Sequence, residues 1–159
     1  MLSPTQLLSP APWDQTILGA MKERRVALIP TLWIWKWYAR HDRQSAQDKT
    51  VNTEVGQLHA WVASGGTVLF GTDLGAVDPD PLEEYMLMAQ AGMTFKQILA
   101  SLTTAPAEKF GRSTQLGRVA AGYMADLVVL KGDPASNIRA LTDVQVTLRN
   151  GEVIYRAGK

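Results

Sequence analysis

The sequence contains no cysteine and only two histidines in 159 residues. Without cysteine it has no disulfides and no thiolate metal ligands, although this absence leaves the cellular compartment open. Long apolar runs are also missing. The longest, residues 26–35, is interrupted by Pro30 and Thr31 and falls well short of the roughly 20 residues that span a membrane. The first residues show neither the charged start nor the apolar core of a secretory signal, so we expect no signal peptide and no membrane span.

An excess of charge of either sign is lacking as well. Lysine and arginine total 16, and aspartate and glutamate total 15. Nucleic-acid-binding domains usually carry a clear basic excess, so this balance favours small molecules or other proteins as partners. The length suffices for one ordinary domain but is below the roughly 250 residues of a typical closed eight-stranded α/β barrel.

An apolar run from Thr67 to Phe70 ends abruptly in polar residues. The run has no polar alternation, which predicts a strand buried on both faces, as in parallel sheets. Gly71 allows a close approach of the backbone, and Asp73 follows where the strand gives way to a loop. The carboxyl ends of parallel strands commonly carry the functional groups of α/β folds. Asp73 is therefore the first catalytic candidate, although an aspartate after a strand is often only a turn former or a helix cap.

A second buried strand is predicted at residues 26–29, and Thr31 and Trp33 follow its carboxyl end. The aromatic cluster that begins at Trp33 is compatible with a strand extension, an active-site lid or a contact surface, and packing between a loop and a helix is the plainer interpretation. We predict that strands 26–29 and 67–72 are parallel neighbours. A right-handed crossover containing a helix at residues 51–64 should join them.

Apolar residues at three- or four-residue intervals predict helices elsewhere. They are expected at residues 13–25, 82–90, 95–102 and 104–111. Residues 39–49 are polar and show no period, which predicts an exposed loop. The helix from Leu82 should bury the side chains of Tyr85, Met86, Met88 and Ala89, with Glu83 and Glu84 near its positive end. Thr94 and Gln97 have the spacing of a capping box.

From Gly117 onward the sequence is typical of β structure. Strand-like runs cover residues 125–130, 144–149 and 152–155, and Asn150-Gly151 is a strong hairpin signal. The alternation predicts that one face of the hairpin carries Val144, Val146, Leu148, Val153 and Tyr155. We therefore divide the chain into an irregular lead-in at 1–12, a partial α/β barrel at 13–116 and a C-terminal β segment at 117–159.

An ordered series of motifs in residues 13–156 resembles the end of a metal-dependent amidohydrolase. The motifs are Gly-Gly-Thr-Val-Leu-Phe-Gly-Thr-Asp at 65–73, Glu84-Tyr85, Ala91-Gly92-Met93, Thr-Thr-Ala-Pro-Ala at 103–107 and Ala-Asp-Leu-Val-Val-Leu at 125–130. The resemblance is to the imidazolonepropionase-like branch, which also contains dipeptidase-type enzymes. It implies an α/β fold made of the last two to three βα units of a TIM-type hydrolase barrel, with the runs at 26–29 and 67–72 as strands seven and eight. The β segment would then belong to a composite β-sandwich domain.

The resemblance also implies the chemistry. Asp73 matches the catalytic aspartate at the end of strand eight, which contacts a divalent metal, usually zinc, and takes a proton from its bound water. The predicted substrate-binding residues are Thr31, Trp33 and Gly75, close to the two strand ends. The family's His-x-His pair is absent, and His41 and His59 do not follow predicted strands. Since a catalytic zinc usually takes three protein ligands, we expect no metal in the isolated chain.

Two functional hypotheses follow. The first is part of a metal-dependent hydrolase that cleaves amide, cyclic amide or dipeptide C–N bonds when complete and is inactive as this chain alone. The second is a non-catalytic module that pairs with a partner chain, or with a second copy, through exposed sheet edges.

Overall fold

The computed structural model describes residues 13–73, 75 and 80–158. The chain divides into two compact units at the boundary between Met93 and Thr94. The predicted lead-in, 1–12, lies outside the described residues, and the predicted division at 116/117 stays a prediction. Within the described ranges, no helix combines the length and the apolar character that crossing a membrane requires.

The first unit alternates helices with two short strands. In chain order these are α1 (Gln15–Glu23), β1 (Ala27–Leu28), α2 (Leu32–Ala39), α3 (Gln44–Ala63), β2 (Thr67–Val68) and α4 (Leu82–Gln90). Helix α2 packs against α3 and α4, and α3 also packs against β2. The core of this unit includes Leu32, Ile34, Val55, Leu58, Trp61, Val68, Leu69, Tyr85, Leu87 and Met88.

Strands β1 and β2 are parallel neighbours, which confirms the predicted pairing. Ala27 lies opposite Thr67 and Leu28 opposite Val68, and α3 lies between the two strands in sequence. The right-handed sense of the crossover stays a prediction. Burial on both faces is wrong in part, because Thr67 is exposed and the side chain of Ile29 is 51% exposed. The described residues supply two strands to this sheet.

The predicted exposed loop at 39–49 is wrong, because α3 already begins at Gln44. Its first turns are stabilised by hydrogen bonds between residues four positions apart on the same helix. The side-chain amide of Gln44 donates to Asp48 at 2.7 Å, and the Thr50 hydroxyl donates to the carbonyl of Ala46 at 3.1 Å. These turns are mostly solvent-exposed, so they need no apolar stripe, and the absence of a period did not indicate a loop.

The aromatic cluster lies on α2, so the strand extension considered from its alternation is wrong. Leu32, Ile34 and Ala39 are buried on this helix, at 3%, 6% and 0% exposure. The helix follows Thr31, which has a left-handed backbone conformation with φ 44° and ψ 47°. That conformation ends the extended segment after β1 and starts the helix immediately.

Two contacts involve the ends of the helices that precede the strands. The indole N–H of Trp61 on α3 donates to the carbonyl oxygen of Thr67 at 2.9 Å, directly over Gly66. The ammonium group of Lys22 on α1 donates to the carbonyl oxygen of Ser64 at 2.7 Å. The C-terminal end of α1 is therefore bonded to the end of α3, and the end of α3 is bonded to β2.

The second unit contains two helices and an antiparallel sheet. Its elements are α5 (Phe95–Leu102), α6 (Thr104–Lys109), β3 (Leu127–Leu130), a 3₁₀ helix (Ile138–Thr142), β4 (Val144–Arg149) and β5 (Glu152–Arg156), and the strand order is β3-β4-β5. Thr94 and Gln97 form the predicted capping box. Asn150 and Gly151 both have positive φ, 52° and 84°, which confirms the predicted hairpin turn.

The predicted common face of the hairpin is wrong for Tyr155 and for Val144. Val146 lies opposite Val129 but Val144 lies opposite Leu130, because Gln145 is an extra residue in β4. Leu148 lies opposite Val153, but Thr147 lies opposite Tyr155, because Ile154 is an extra residue in the register. A bulge of this kind breaks the alternation of side chains along a strand. Tyr155 therefore shares a face with Thr147, and the side chains of Val153, Ile154 and Tyr155 are 49%, 62% and 50% exposed.

Candidate functional site

The carboxyl ends of β1 and β2 leave the sheet side by side. The ladder extends one step beyond the strands, since the N–H of Leu69 donates to the carbonyl of Leu28 at 2.8 Å. A Cβ atom added at Gly71 would lie 2.5 Å from Cγ2 of Ile29 and 3.8 Å from Cγ2 of Thr31. A side chain at position 71 would therefore clash with Ile29, which favours glycine there. The structure brings Thr31 and Gly71 together at this edge of the sheet.

Asp73 lies two residues beyond Gly71, with an exposed side chain and a left-handed backbone at φ 57°. Residues other than glycine pay a conformational cost in this region, although aspartate tolerates it better than most. Backbone strain of this kind concentrates at functional sites, and an exposed carboxylate can accept a proton from water. Asp73 thus has a position and a chemistry that suit a general base.

Trp33 lies in the first turn of α2, where its indole Nε1 is buried and has no hydrogen-bond partner among the described residues. A buried donor without an acceptor carries a desolvation penalty, so it is a place where an added acceptor would bind favourably. The backbone N–H of Trp33 is used elsewhere, by Glu84. A substrate contact for Trp33 stays a prediction.

Gly75 is exposed, with φ 111°, and a Cβ atom added there would meet no atom within 4 Å. Residues 74 and 76–79 on either side lie outside the described residues. Among the described residues, neither Thr31 nor Trp33 comes within 4 Å of a Cβ atom added at Gly75, and the predicted role of Gly75 also stays a prediction.

The two histidines lie away from the strand ends in sequence. His41 follows α2, and His59 on α3 has its Nδ1 atom 3.0 Å from the carbonyl oxygen of Ala91. Within residues 13–73, 75 and 80–158, no group of three or more His, Cys, Asp or Glu side chains could hold a metal ion. Those residues do not by themselves fit a catalytic zinc, which usually takes three protein ligands and an open position.

Glu84 on α4 is the site residue whose role the sequence analysis missed. Its side chain is fully buried, and its two carboxylate oxygens accept hydrogen bonds from the N–H groups of Leu32 at 2.9 Å and Trp33 at 2.7 Å. Burial raises the pKa of Glu84 from its ordinary 4.5 to about 7, while the two N–H donors act in the lowering direction. The carboxylate thus lies against the positive N-terminal end of α2, where the helix dipole favours a negative charge.

A signal for this role was present in the helical spacing. Glu84, Leu87, Met88 and Ala91 follow the i, i+3, i+4, i+7 pattern, and all four are buried. The predicted burial of Ala89 is wrong, since that residue is exposed and Leu87 is buried in its place. An acidic residue on the buried stripe of a helix requires a hydrogen-bonding partner, and that requirement predicts a tertiary contact.

Tyr85, the next residue on α4, covers the end of β2. Its ring packs against that of Phe70 with centroids 4.9 Å apart and an interplanar angle of 31°. Burial, and secondarily the charge of Asp80, raises the pKa of the Tyr85 hydroxyl. Helix α4 therefore contacts the segments that follow both strands, which we call the β1 exit and the β2 exit. It reaches the β1 exit through Glu84 and the β2 exit through Tyr85.

Both a family profile and a known protein match this chain. A family profile described as "Amidohydrolase family" matches residues 20–155. The amidohydrolase tasK of Hapsidospora irregularis is 46% identical over 43 residues, which cover 27% of this chain and 4% of that protein.

Solved structures resemble nearly the whole chain. A Xaa-Pro dipeptidase with bound methionine superposes with a TM-score of 0.78 at 23% identity, covering 91% of this chain and 38% of that one. A prolidase complexed with N-methylphosphonate-L-proline gives a TM-score of 0.75 at 26% identity, with 90% and 38% covered. The ochratoxinase of A. niger gives 0.75 at 18% identity, with 91% and 35% covered. The chain thus spans between 35% and 38% of the length of these three structures.

Proposed function

This chain belongs to the amidohydrolase family, and we propose that it is the C-terminal part of a metal-dependent hydrolase that cleaves amide, cyclic amide or dipeptide C–N bonds. In this proposal it supplies the last two to three βα units of a TIM-type barrel and a β segment of the sandwich domain. The observation that carries the proposal is the parallel pair β1–β2 with Asp73 following its carboxyl edge. The prolidase with a bound proline phosphonate supports a dipeptide as the first substrate to test.

Asp73 is the proposed proton acceptor. Its exposed carboxylate would take a proton from the attacking water and return it to the leaving amine. Thr31 and Trp33, at the β1 exit, and Gly75 would contact the substrate. The amidohydrolase family generally uses divalent metals, and zinc is the proposed ion in the complete enzyme. A catalytic zinc usually takes three protein ligands, and Asp73 would be one of them. The other ligands would come from outside the described residues.

The proposal separates the activity of the complete enzyme from that of this chain. We expect the 159-residue chain to bind no zinc tightly and to hydrolyse no dipeptide, because one exposed carboxylate offers too few ligands to lower the pKa of a bound water. A chimera tests the other half. In it, residues 13–158 replace the corresponding C-terminal part of the solved prolidase, which supplies the remaining strands.

The chimera should hydrolyse Xaa-Pro dipeptides, and Asp73→Asn should lower its turnover by about 10²–10⁴-fold, the usual loss of a general base. Asp48→Asn, on the exposed surface of α3, is the matched control and should leave turnover unchanged. Near-normal turnover of the Asp73→Asn chimera would refute the role of Asp73. Stoichiometric zinc and dipeptide hydrolysis by the short chain would refute its proposed inactivity.

The second candidate function is assembly with another chain. The exposed apolar residues of the β3–β5 sheet favour it, with Val128 58%, Val153 49% and Ile154 62% exposed. A partner chain or a second copy would then cover the sheet. Sedimentation of the purified chain distinguishes the candidates: a concentration-dependent dimer abolished by Ile154→Lys supports assembly, and a monomer at all concentrations contradicts self-assembly.

A further inference from the structure

Glu84 connects helix α4 to Leu32 and Trp33, which precede it in the chain by 52 and 51 positions. Its two oxygens contact the first two N–H groups of α2, those of Leu32 and Trp33. These N–H groups belong to the first turn of a helix, where no carbonyl of the same helix can accept them. Glu84 therefore supplies from a distant helix what a local capping residue usually supplies.

The local cap position is occupied by Thr31, which makes no side-chain capping hydrogen bond. Threonine is a favourable cap residue when its backbone is extended, because its hydroxyl then reaches the N–H groups of the first turn. Here Thr31 is left-handed instead, a conformation that threonine rarely adopts. The turn thus forgoes its own cap and adopts an unfavourable backbone, and the contacts of Glu84 compensate for both.

The conformation of Thr31 has a consequence at the sheet edge. The methyl group of Thr31 faces Gly71, at 3.8 Å from the position of an added Cβ atom, on the segment that leads to Asp73. We propose that Glu84 is a positioning residue whose carboxylate holds Thr31 in its left-handed conformation and so sets the β1 exit against the β2 exit. The inference rests on the proposed function in one respect, that the segments following β1 and β2 border the substrate-binding site.

The charged groups around Glu84 do not replace this role. Lys36 of α2 pairs with Glu83, the neighbour of Glu84 on α4, and not with Glu84. The other titratable groups on the elements packed here are Tyr38 on α2, Tyr85 on α4, and Asp48, Lys49, Glu54 and His59 on α3. Among the described residues, the buried carboxylate accepts its hydrogen bonds from these two backbone N–H groups.

Amide hydrogen exchange, followed by NMR at pH 8, tests the proposal without any turnover. In Glu84→Gln the shape is kept, but one amide oxygen must serve two N–H groups and the NH₂ group opposes one of them. The protection of Leu32 or Trp33 should then fall about tenfold, as expected for losing a hydrogen bond to a charged group. Glu83→Gln, which removes only the surface pair with Lys36, is the matched control and should change these amides less than about threefold.

Two further readouts separate positioning from general stabilisation. The amide resonance of Gly71 should shift in Glu84→Gln, and it should shift much less when Glu84→Gln is added to Thr31→Gly, because glycine keeps the left-handed conformation unaided. If Glu84→Gln does not fold, lowering the pH of the unmodified chain through about 7 should produce the same change at Gly71.

Equal loss of protection at Leu32, Trp33 and a distant core amide such as Leu58 would overturn the proposal, as would an equal shift of Gly71 in both backgrounds. An inactive chimera would refute the proposed hydrolase and leave these exchange results standing. The two failures are therefore distinguishable.

Discussion

The indole ring of Trp61 occupies the space into which a side chain at Gly66 would project. A Cβ atom added at Gly66 would lie 2.0 Å from Cε2 and 2.5 Å from Nε1 of Trp61. The ring cannot move aside freely, because Trp61 is 1% exposed and its Nε1 donates to Thr67. The entry into β2 therefore depends on a glycine for reasons of space.

Gly66→Ala should accordingly lower the free energy of unfolding by about 1–3 kcal/mol, the usual cost of overpacking. Gly56→Ala is the matched control, since Gly56 is exposed within α3 and an added Cβ meets nothing within 4 Å. That control should raise stability by about 0.5–1 kcal/mol, because alanine favours the helix. Urea unfolding of both variants gives the two values, and an unchanged midpoint for Gly66→Ala would contradict the steric argument.

Glu84 should make the stability of the chain depend on pH in the neutral range. Its pKa is raised from 4.5 to about 7 in the folded chain, chiefly by burial. The folded state then binds the proton more tightly than the unfolded state, so the stabilising contribution is complete below about pH 4.5 and is lost as the pH rises through about 7. The full difference is about 3 kcal/mol.

The free energy of unfolding, measured between pH 5 and pH 8, should therefore fall more steeply with pH in the unmodified chain than in Glu84→Gln. Glu83→Gln is the control and should keep the steep dependence. The other ionisable groups are the same in the unmodified chain and in Glu84→Gln, so the difference between these two curves isolates Glu84. Parallel curves for the unmodified chain and Glu84→Gln would show that the pKa of Glu84 is not raised.

Asp73→Gly should stabilise the chain while removing the proposed proton acceptor. Glycine adopts a φ of 57° without the cost that other residues pay, so we expect a gain of about 0.5–1 kcal/mol in the free energy of unfolding. Asp73→Ala removes the same carboxylate but keeps the strained backbone, and it should show no gain. Equal stabilities of the glycine and alanine variants would indicate that the left-handed conformation at this position costs nothing.

Asp126→Ala should loosen the β4–β5 hairpin. The Asp126 carboxylate accepts the N–H of Asn150 at 2.8 Å, and the carbonyl of Ala125 accepts the N–H of Gly151 at 3.0 Å. Loss of the first bond should cost about 1 kcal/mol and increase amide exchange at Asn150. Asp126→Asn retains an acceptor oxygen and should cost less. Unaltered exchange at Asn150 in the alanine variant would exclude this contact.

Local signals predicted much of the fold. Asn150-Gly151 located the hairpin, Thr94 with Gln97 located the start of α5, and the two apolar runs located β1 and β2. Each of these signals lies within a few residues of the element that it defines. The family resemblance, confirmed by the profile match, added the position of Asp73 after the second strand.

What escaped prediction depends on contacts distant in sequence or on register. The left-handed Thr31 and the hydrogen bonds of Glu84 to α2 require α2 and α4 to meet across about fifty residues. The helical spacing indicates that Glu84 is buried, but no local pattern identifies α2 as its partner. Tyr155 changes face because one extra residue, Ile154, enters the ladder. The first turns of α3 lack an apolar stripe because they face solvent.

The bond between Lys22 and Ser64 bears on how the parallel pair chooses its alignment. Two strands of two residues each form too few ladder bonds to distinguish one alignment from the next. The ammonium group of Lys22 reaches a carbonyl that lies three residues before Thr67, and it does so from a helix that ends four residues before Ala27. Sliding one strand by two residues would move these groups about 6.6 Å apart and break the contact. The alignment of the two strands is thus set outside the sheet, by a side-chain contact between the helices that precede them.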